Sequence, residues 1–178
     1  MHDSATPLVR AKVSVLQAVG VGTRPQELQA TTHEDAEEDF CPAYGFLRGI
    51  RDRGLAVEFR LRNGTSEFFS YALLGQFRFE PSTGILLRFS GDTITLVLIR
   101  GSNLDAPVRQ NSINLTDRGL QRHRITFVRE MHEQELRQVG EGGPTIDRIE
   151  IAEFETQEEV QAWIARHASA FVRKGATG

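Results

Sequence analysis

"LAVEFRLRNGTSEFFSY", residues 55–71, decides how this chain is to be read. Val57, Phe59 and Leu61 alternate with Glu58, Arg60 and Arg62. That period of two places one face of a strand in a core and the other in water. Asn63-Gly64 follows, a pair that tolerates positive φ and so favours a tight hairpin, and "SEFFSY" (66–71) supplies the returning strand. The same grammar runs on to residue 99. "QFRFE" (76–80) alternates Phe77 and Phe79 with Arg78, and Pro81-Ser82-Thr83-Gly84 reverses the chain. "ILLRFS" (85–90), the turn Gly91-Asp92 and "TITLVLI" (93–99) complete a run of about five short strands. Strands joined by such short turns predict an antiparallel meander, open or closed into a small barrel.

Outward from this run the elements are sparser. "YGFLRGIRDRG" (44–54) fits a short amphipathic helical turn with Phe46, Leu47 and Ile50 on one side. Residues 101–122 lack periodicity and read as an extended surface segment, suited to contacts with a partner. "HRITFVRE" (123–130) and "TIDRIEIAEF" (145–154) read as strands, and "MHEQELRQVG" (131–140) as a short helix closed by Gly140. The clearest helix comes last. Thr156 and Glu159 form a capping box, and Val160, Trp163, Ile164, His167, Phe171 and Val172 share one face. Arg173 and Lys174 sit at the negative end of its dipole, and Gly175 stops it.

These elements predict an α+β protein: a β core over 44–154 with a C-terminal amphipathic helix, 156–174, packed on it, the whole of 44–178 forming one domain. Residues 1–43 read as an N-terminal segment with an acidic linker. Within it "LVRAKVSVLQAV" (8–19) fits a strand or a short helix, "GVGTRP" (20–25) breaks it, and "THEDAEEDF" (32–40) is a linker or an exposed helix.

The 178 residues suffice for one well-buried core, and 39% hydrophobic with 25% charged residues is ordinary for a globular protein. The apolar runs fall short of the ~20 residues that cross a bilayer, and the first residues, MHDSATPLVRAKVS, lack an apolar signal core. The single cysteine, Cys41, precludes an internal disulfide. Together these features point to a cytoplasmic protein without a membrane partner. The net charge of −3 is unevenly spread: three Lys/Arg against seven Asp/Glu in 1–40, thirteen against eight in 41–130, five against nine in 131–178. A basic centre between acidic ends suits an anionic partner, or ends that fold back on the middle.

Signs of catalysis are few. A Gly-rich phosphate loop, a G-x-S-x-G elbow and an H-E-x-x-H helix are all missing from the sequence. The only lysines are Lys12 and Lys174. Cys41 reads as a small buried thiol, His167 as a packed histidine, and His132 with Glu133 and Glu135 as a solvated helix face, so neither a cofactor nor a metal is expected. Were the chain an enzyme, Glu58, Glu80, Asp92, His123 and Arg100 would be the residues to inspect. A basic stretch, "DRGLQRHRITFVRE" (117–130), makes Arg118, Arg122 and Arg124 candidates for contact with phosphate or another anionic partner.

One motif carries a resemblance. Ile99-Arg100-Gly101-Ser102-Asn103-Leu104 resembles the second signature motif of the Sm and Sm-like RNA-binding proteins, aliphatic-Arg-Gly-x-Asn-aliphatic, and "VEFRLRNGT" (57–65) resembles that family's first strand and turn. The resemblance implies a short helix before five bent strands, ring assembly, and Arg100, Gly101 and Asn103 as ligand-pocket residues for single-stranded RNA. Glu80 and Gly84 stand where the family's first motif has Asp and Asn. Without that family, Gly101 and Asn103 make a turn and Arg100 caps a sheet edge. The expected function is non-catalytic binding or assembly. The partners considered are a second copy in a homo-oligomer, another protein, or single-stranded RNA.

Overall fold

The computed structural model describes residues 38–108, 113–139 and 142–172. The stretches at 8–19 and 20–25, most of 32–40, and the helix-ending Arg173, Lys174 and Gly175 lie outside the described residues. Nine strands form two sheets. The first has the order β1 (Glu38–Phe40), β2 (Tyr44–Leu47), β8 (Ile125–Arg129), β3 (Ala56–Arg60), β4 (Ser66–Ser70); the second runs β5 (Leu74–Glu80), β6 (Gly84–Ser90), β7 (Ile94–Ser102), β9 (Thr145–Phe154). All neighbours are antiparallel except β3 and β8, which run parallel. Two helices are added, α1 (Glu133–Gln138) and α2 (Gln157–His167).

The α+β class and the C-terminal helix are present, but the sheets do not close into a barrel. The expected meander is divided: β3 and β4 belong to one sheet, β5 to β7 to the other, and the chain changes sheets in the 3₁₀ turn Tyr71–Leu73. The Tyr71 hydroxyl donates to the Ile125 carbonyl at 2.8 Å, tying that crossing to β8. Apolar side chains from both sheets then share a single core, Tyr44, Phe46, Val57 and Phe59 from one and Ile85, Leu87, Val97 and Ile99 from the other. Facing sheets, not a closed one, bury these alternating residues.

The second sheet is covered on its other face as well. Leu86, Leu96 and Leu98 pack against Val160, Trp163, Ile164, Ala168 and Phe171. This double burial explains why "ILL" and "TLVLI" are continuous apolar runs, whereas β3 and β4 of the first sheet alternate. The expected hairpin at Asn63-Gly64 forms, with Gly64 at φ +89° and the Asn63 side chain accepting from Thr65 N at 2.9 Å.

Four expectations change. The turn of helix at 44–54 is instead strand β2, because all four of its residues are buried and β8 and β1 pair on either side of it. The end of the acidic run 32–40 is the edge strand β1. Residues 101–122 are no mere surface strip: Leu104, Val108, Ile113, Leu115 and Leu120 join the inter-sheet core. Finally, α2 ends at His167, with the φ of Ala168 at −147°, and Phe171 reaches the core from a separate 3₁₀ turn, Ser169–Phe171.

Candidate functional site

The outer face of the second sheet carries polar side chains where α2 leaves it uncovered. Along β5 Phe77 and Phe79 turn toward the inter-sheet core, so Gln76 and Arg78 point the other way. Along β6 Ile85, Leu87 and Phe89 face the core and Leu86 and Arg88 face α2. Register sets Gln76 opposite Arg88 and Arg78 opposite Leu86. The two arginines are therefore diagonal neighbours, at a Cα spacing of about 7–8 Å.

With α2 these residues enclose a cleft of about 220 Å³. Its floor is Leu86, Leu96, Val160 and Ile164; its polar groups are Arg78, Arg88 and the amides of Gln76, Gln157 and Gln161. Gln157 and Gln161 lie one turn apart on α2 and so project from one face. Among the described residues no carboxylate lines the cleft and neither arginine has an acidic partner. Arg88 Nη1 donates to Gln157 Oε1 at 2.8 Å. Arg78 Nη1 donates to the Phe171 carbonyl, and its guanidinium lies 5.1 Å from the centre of the Phe171 ring. Both arginines are half-buried, where a guanidinium attracts an anion more strongly than it does in open water.

The residues singled out by sequence lie elsewhere. Arg100, near the end of β7, donates through Nε to Glu150 Oε1 at 3.0 Å and through Nη2 to the His167 carbonyl at 2.5 Å. His167 Nδ1 lies 3.1 Å from the other Glu150 oxygen, and its ring stacks on Trp163 at 4.6 Å. Burial pushes the Glu150 carboxyl up, but hydrogen bonds from Arg100 and His167 and the charge of Arg148 outweigh it and hold the group below the usual carboxylate range. At Gly101 a Cβ would overlap the Thr145 carbonyl oxygen, so glycine here permits a close approach of β9. Asn103 takes a left-handed conformation, φ 55°, and its side-chain amide donates to the Gly143 carbonyl at 3.2 Å. In this geometry the motif ends a strand and ties it to β9 and α2.

The basic stretch is also divided. Arg118 and Arg122 are exposed, whereas Arg124 is 5% exposed and donates to the Leu47 and Arg48 carbonyls at 2.6 and 2.8 Å. Glu58 pairs with Arg60 at 2.6 Å, Glu80 accepts from Ser82 at 2.5 Å, Asp92 lies in the β6–β7 turn, and His123 stacks on Tyr71 at 4.5 Å. Among the described residues no hydrogen bond or ion pair joins these groups to one another or to Arg100. Cys41 is buried. Among the described residues no three His, Cys, Asp or Glu side chains are grouped to hold a metal ion, and no helix is long and apolar enough to cross a membrane.

Sequence reasoning passed over Arg78 and Arg88, since each stands alone in its strand. The available signal was Arg88 itself, a charge set among Ile85, Leu86, Leu87 and Phe89 in a strand buried on both faces. Such a charge needs a partner or a ligand. Fold and cleft together define the class: a two-sheet α+β protein with a helix-covered, arginine-lined cleft on its second sheet. Set against family models, curated proteins and solved structures, the chain matches none of them.

Proposed function

We propose that this protein is a non-catalytic binding module that takes a small anionic ligand in the cleft between α2 and the second sheet. The observation that carries the reading is the pair Arg78 and Arg88, half-buried on one cleft wall with amides and, among the described residues, no carboxylate beside them. Two guanidinium groups that share a sheltered space repel one another, and an anion between them relieves that repulsion. Amide groups suit the same guest by donating hydrogen bonds without adding charge. The floor of Leu86, Leu96, Val160 and Ile164 excludes water from the contact.

Isothermal titration of the full chain with acetate, succinate and phosphate tests this. Binding is expected for at least one anion, weakened tenfold or more in Arg88→Gln, a variant whose folding is checked by circular dichroism. Absence of binding by all three, or binding that Arg88→Gln leaves unchanged, would overturn it.

A further inference from the structure

The other half-buried arginines, Arg60, Arg100 and Arg129, and the buried Arg124 all use the same edge of the guanidinium, the side on which Nε and Nη2 point together. Arg60 places both nitrogens on the Glu58 carboxylate. Arg100 gives Nε to Glu150 and Nη2 to the His167 carbonyl. Arg124 and Arg129 turn both toward single carbonyls, of Leu47 and Pro42, and Arg129 also gives Nη1 and Nη2 to the Glu135 carboxylate. Arg78 and Arg88 differ. Each is anchored through Nη1 alone, on the Phe171 carbonyl and on Gln157 Oε1, and the Nε–Nη2 edge has no partner among the described residues.

That edge is a two-donor fork whose spacing matches the two oxygens of a carboxylate. The anchoring bonds also hold each side chain before a guest arrives, which lowers the entropy lost on binding. From these two forks, carried by arginines that line one cleft with an apolar floor, we infer that the ligand of this cleft is a short aliphatic dicarboxylate. One carboxylate takes the Arg78 fork and the other the Arg88 fork, and the methylenes between them lie over Leu86, Leu96 and Ile164. Size agrees. A space of about 220 Å³ admits a small organic anion. The inference rests on the anion-binding reading of the same site and adds the number and placement of the charges.

Titration of the full chain with succinate, glutarate, adipate, butyrate and phosphate decides it. At least one diacid is expected to bind tenfold or more tighter than butyrate. Arg78→Gln and Arg88→Gln should each reduce that diacid to the butyrate level. Arg88→Lys, which keeps the charge and loses the fork, should fall nearly as far as Arg88→Gln and guards against misreading a folding defect. Butyrate binding as tightly as every diacid, or phosphate alone binding, would overturn the dicarboxylate and leave the anion site standing. Silence from all five would overturn both.

Discussion

Arg100 and Glu150 are diagonal neighbours on β7 and β9, joined Nε to Oε1 at 3.0 Å, and through them the end of α2 is fastened to the sheet. Arg100 reaches on to the His167 carbonyl, and Glu150 also receives Arg148 Nε at 3.4 Å. Because the carboxyl of Glu150 titrates below its unfolded value of about 4.3, the folded state favours its ionised form. Its stabilising contribution is therefore present above that value and lost as pH falls through the lower, folded one. Glu150→Gln is expected to cost about 1–3 kcal/mol at pH 7. It should also flatten the decline of stability below about pH 4.5, relative to the parent, in urea titrations at a series of pH values.

Trp163 is the only tryptophan and is 7% exposed between α2 and the strands beneath it. Phe154 meets it edge-on at 6.1 Å and His167 lies parallel to it, 4° between the planes. Trp163→Ala is expected to destabilise by about 3–5 kcal/mol, the cost of emptying an aromatic-sized core position. Far-ultraviolet circular dichroism during denaturation reads this without the lost fluorophore. In the parent chain, Trp163 fluorescence should change in a single step with unfolding.

Gly101→Ala sets the added methyl against the Thr145 carbonyl, which is backbone and cannot swing aside. A loss of about 1–3 kcal/mol or more is expected. Asn103→Ala gives up a left-handed turn residue and its bond to Gly143, and should cost less. A stable Gly101→Ala protein would show that β7 and β9 do not approach this closely.

Arg124 separates from its two neighbours in the basic stretch. Arg124→Ala leaves the Leu47 and Arg48 carbonyls without their guanidinium donor, for an expected loss of about 1.5–3 kcal/mol. Arg124→Lys should recover only part, as an ammonium lacks the planar fork. Arg118→Gln and Arg122→Gln, both at exposed positions, should stay within about 0.5 kcal/mol of the parent. Urea midpoints for the four variants check the contrast.

What the sequence by itself determined are features fixed by neighbours along the chain. Strands β3 to β7 and β9 follow from alternation or short apolar runs between turn residues, and Asn63-Gly64 marks its hairpin. The start of α2 follows from Thr156 and Glu159, whose reciprocal capping bonds are present at 3.1 and 3.3 Å. Such signals act within a few residues.

Only the tertiary structure decided the rest, because it depends on partners distant in sequence. "YGFL" lacks alternation since both its faces are covered, and nothing local marks it as a strand. The insertion of β8 between β2 and β3 is a matter of which edges meet. So is the burial of Leu104, Leu115 and Leu120, which follow no period because they fill irregular space in the core. Arg100 announced itself by its motif, yet β9 and α2 supply the groups that occupy it. Arg78 carried no local sign and Arg88 only that of a charge in an apolar run, and both acquire their shared cleft only when a hairpin's outer face meets a helix some seventy residues further on. A charge in a strand is ordinary until its neighbours are known. Packing determines whether those neighbours answer the charge or leave it for a ligand.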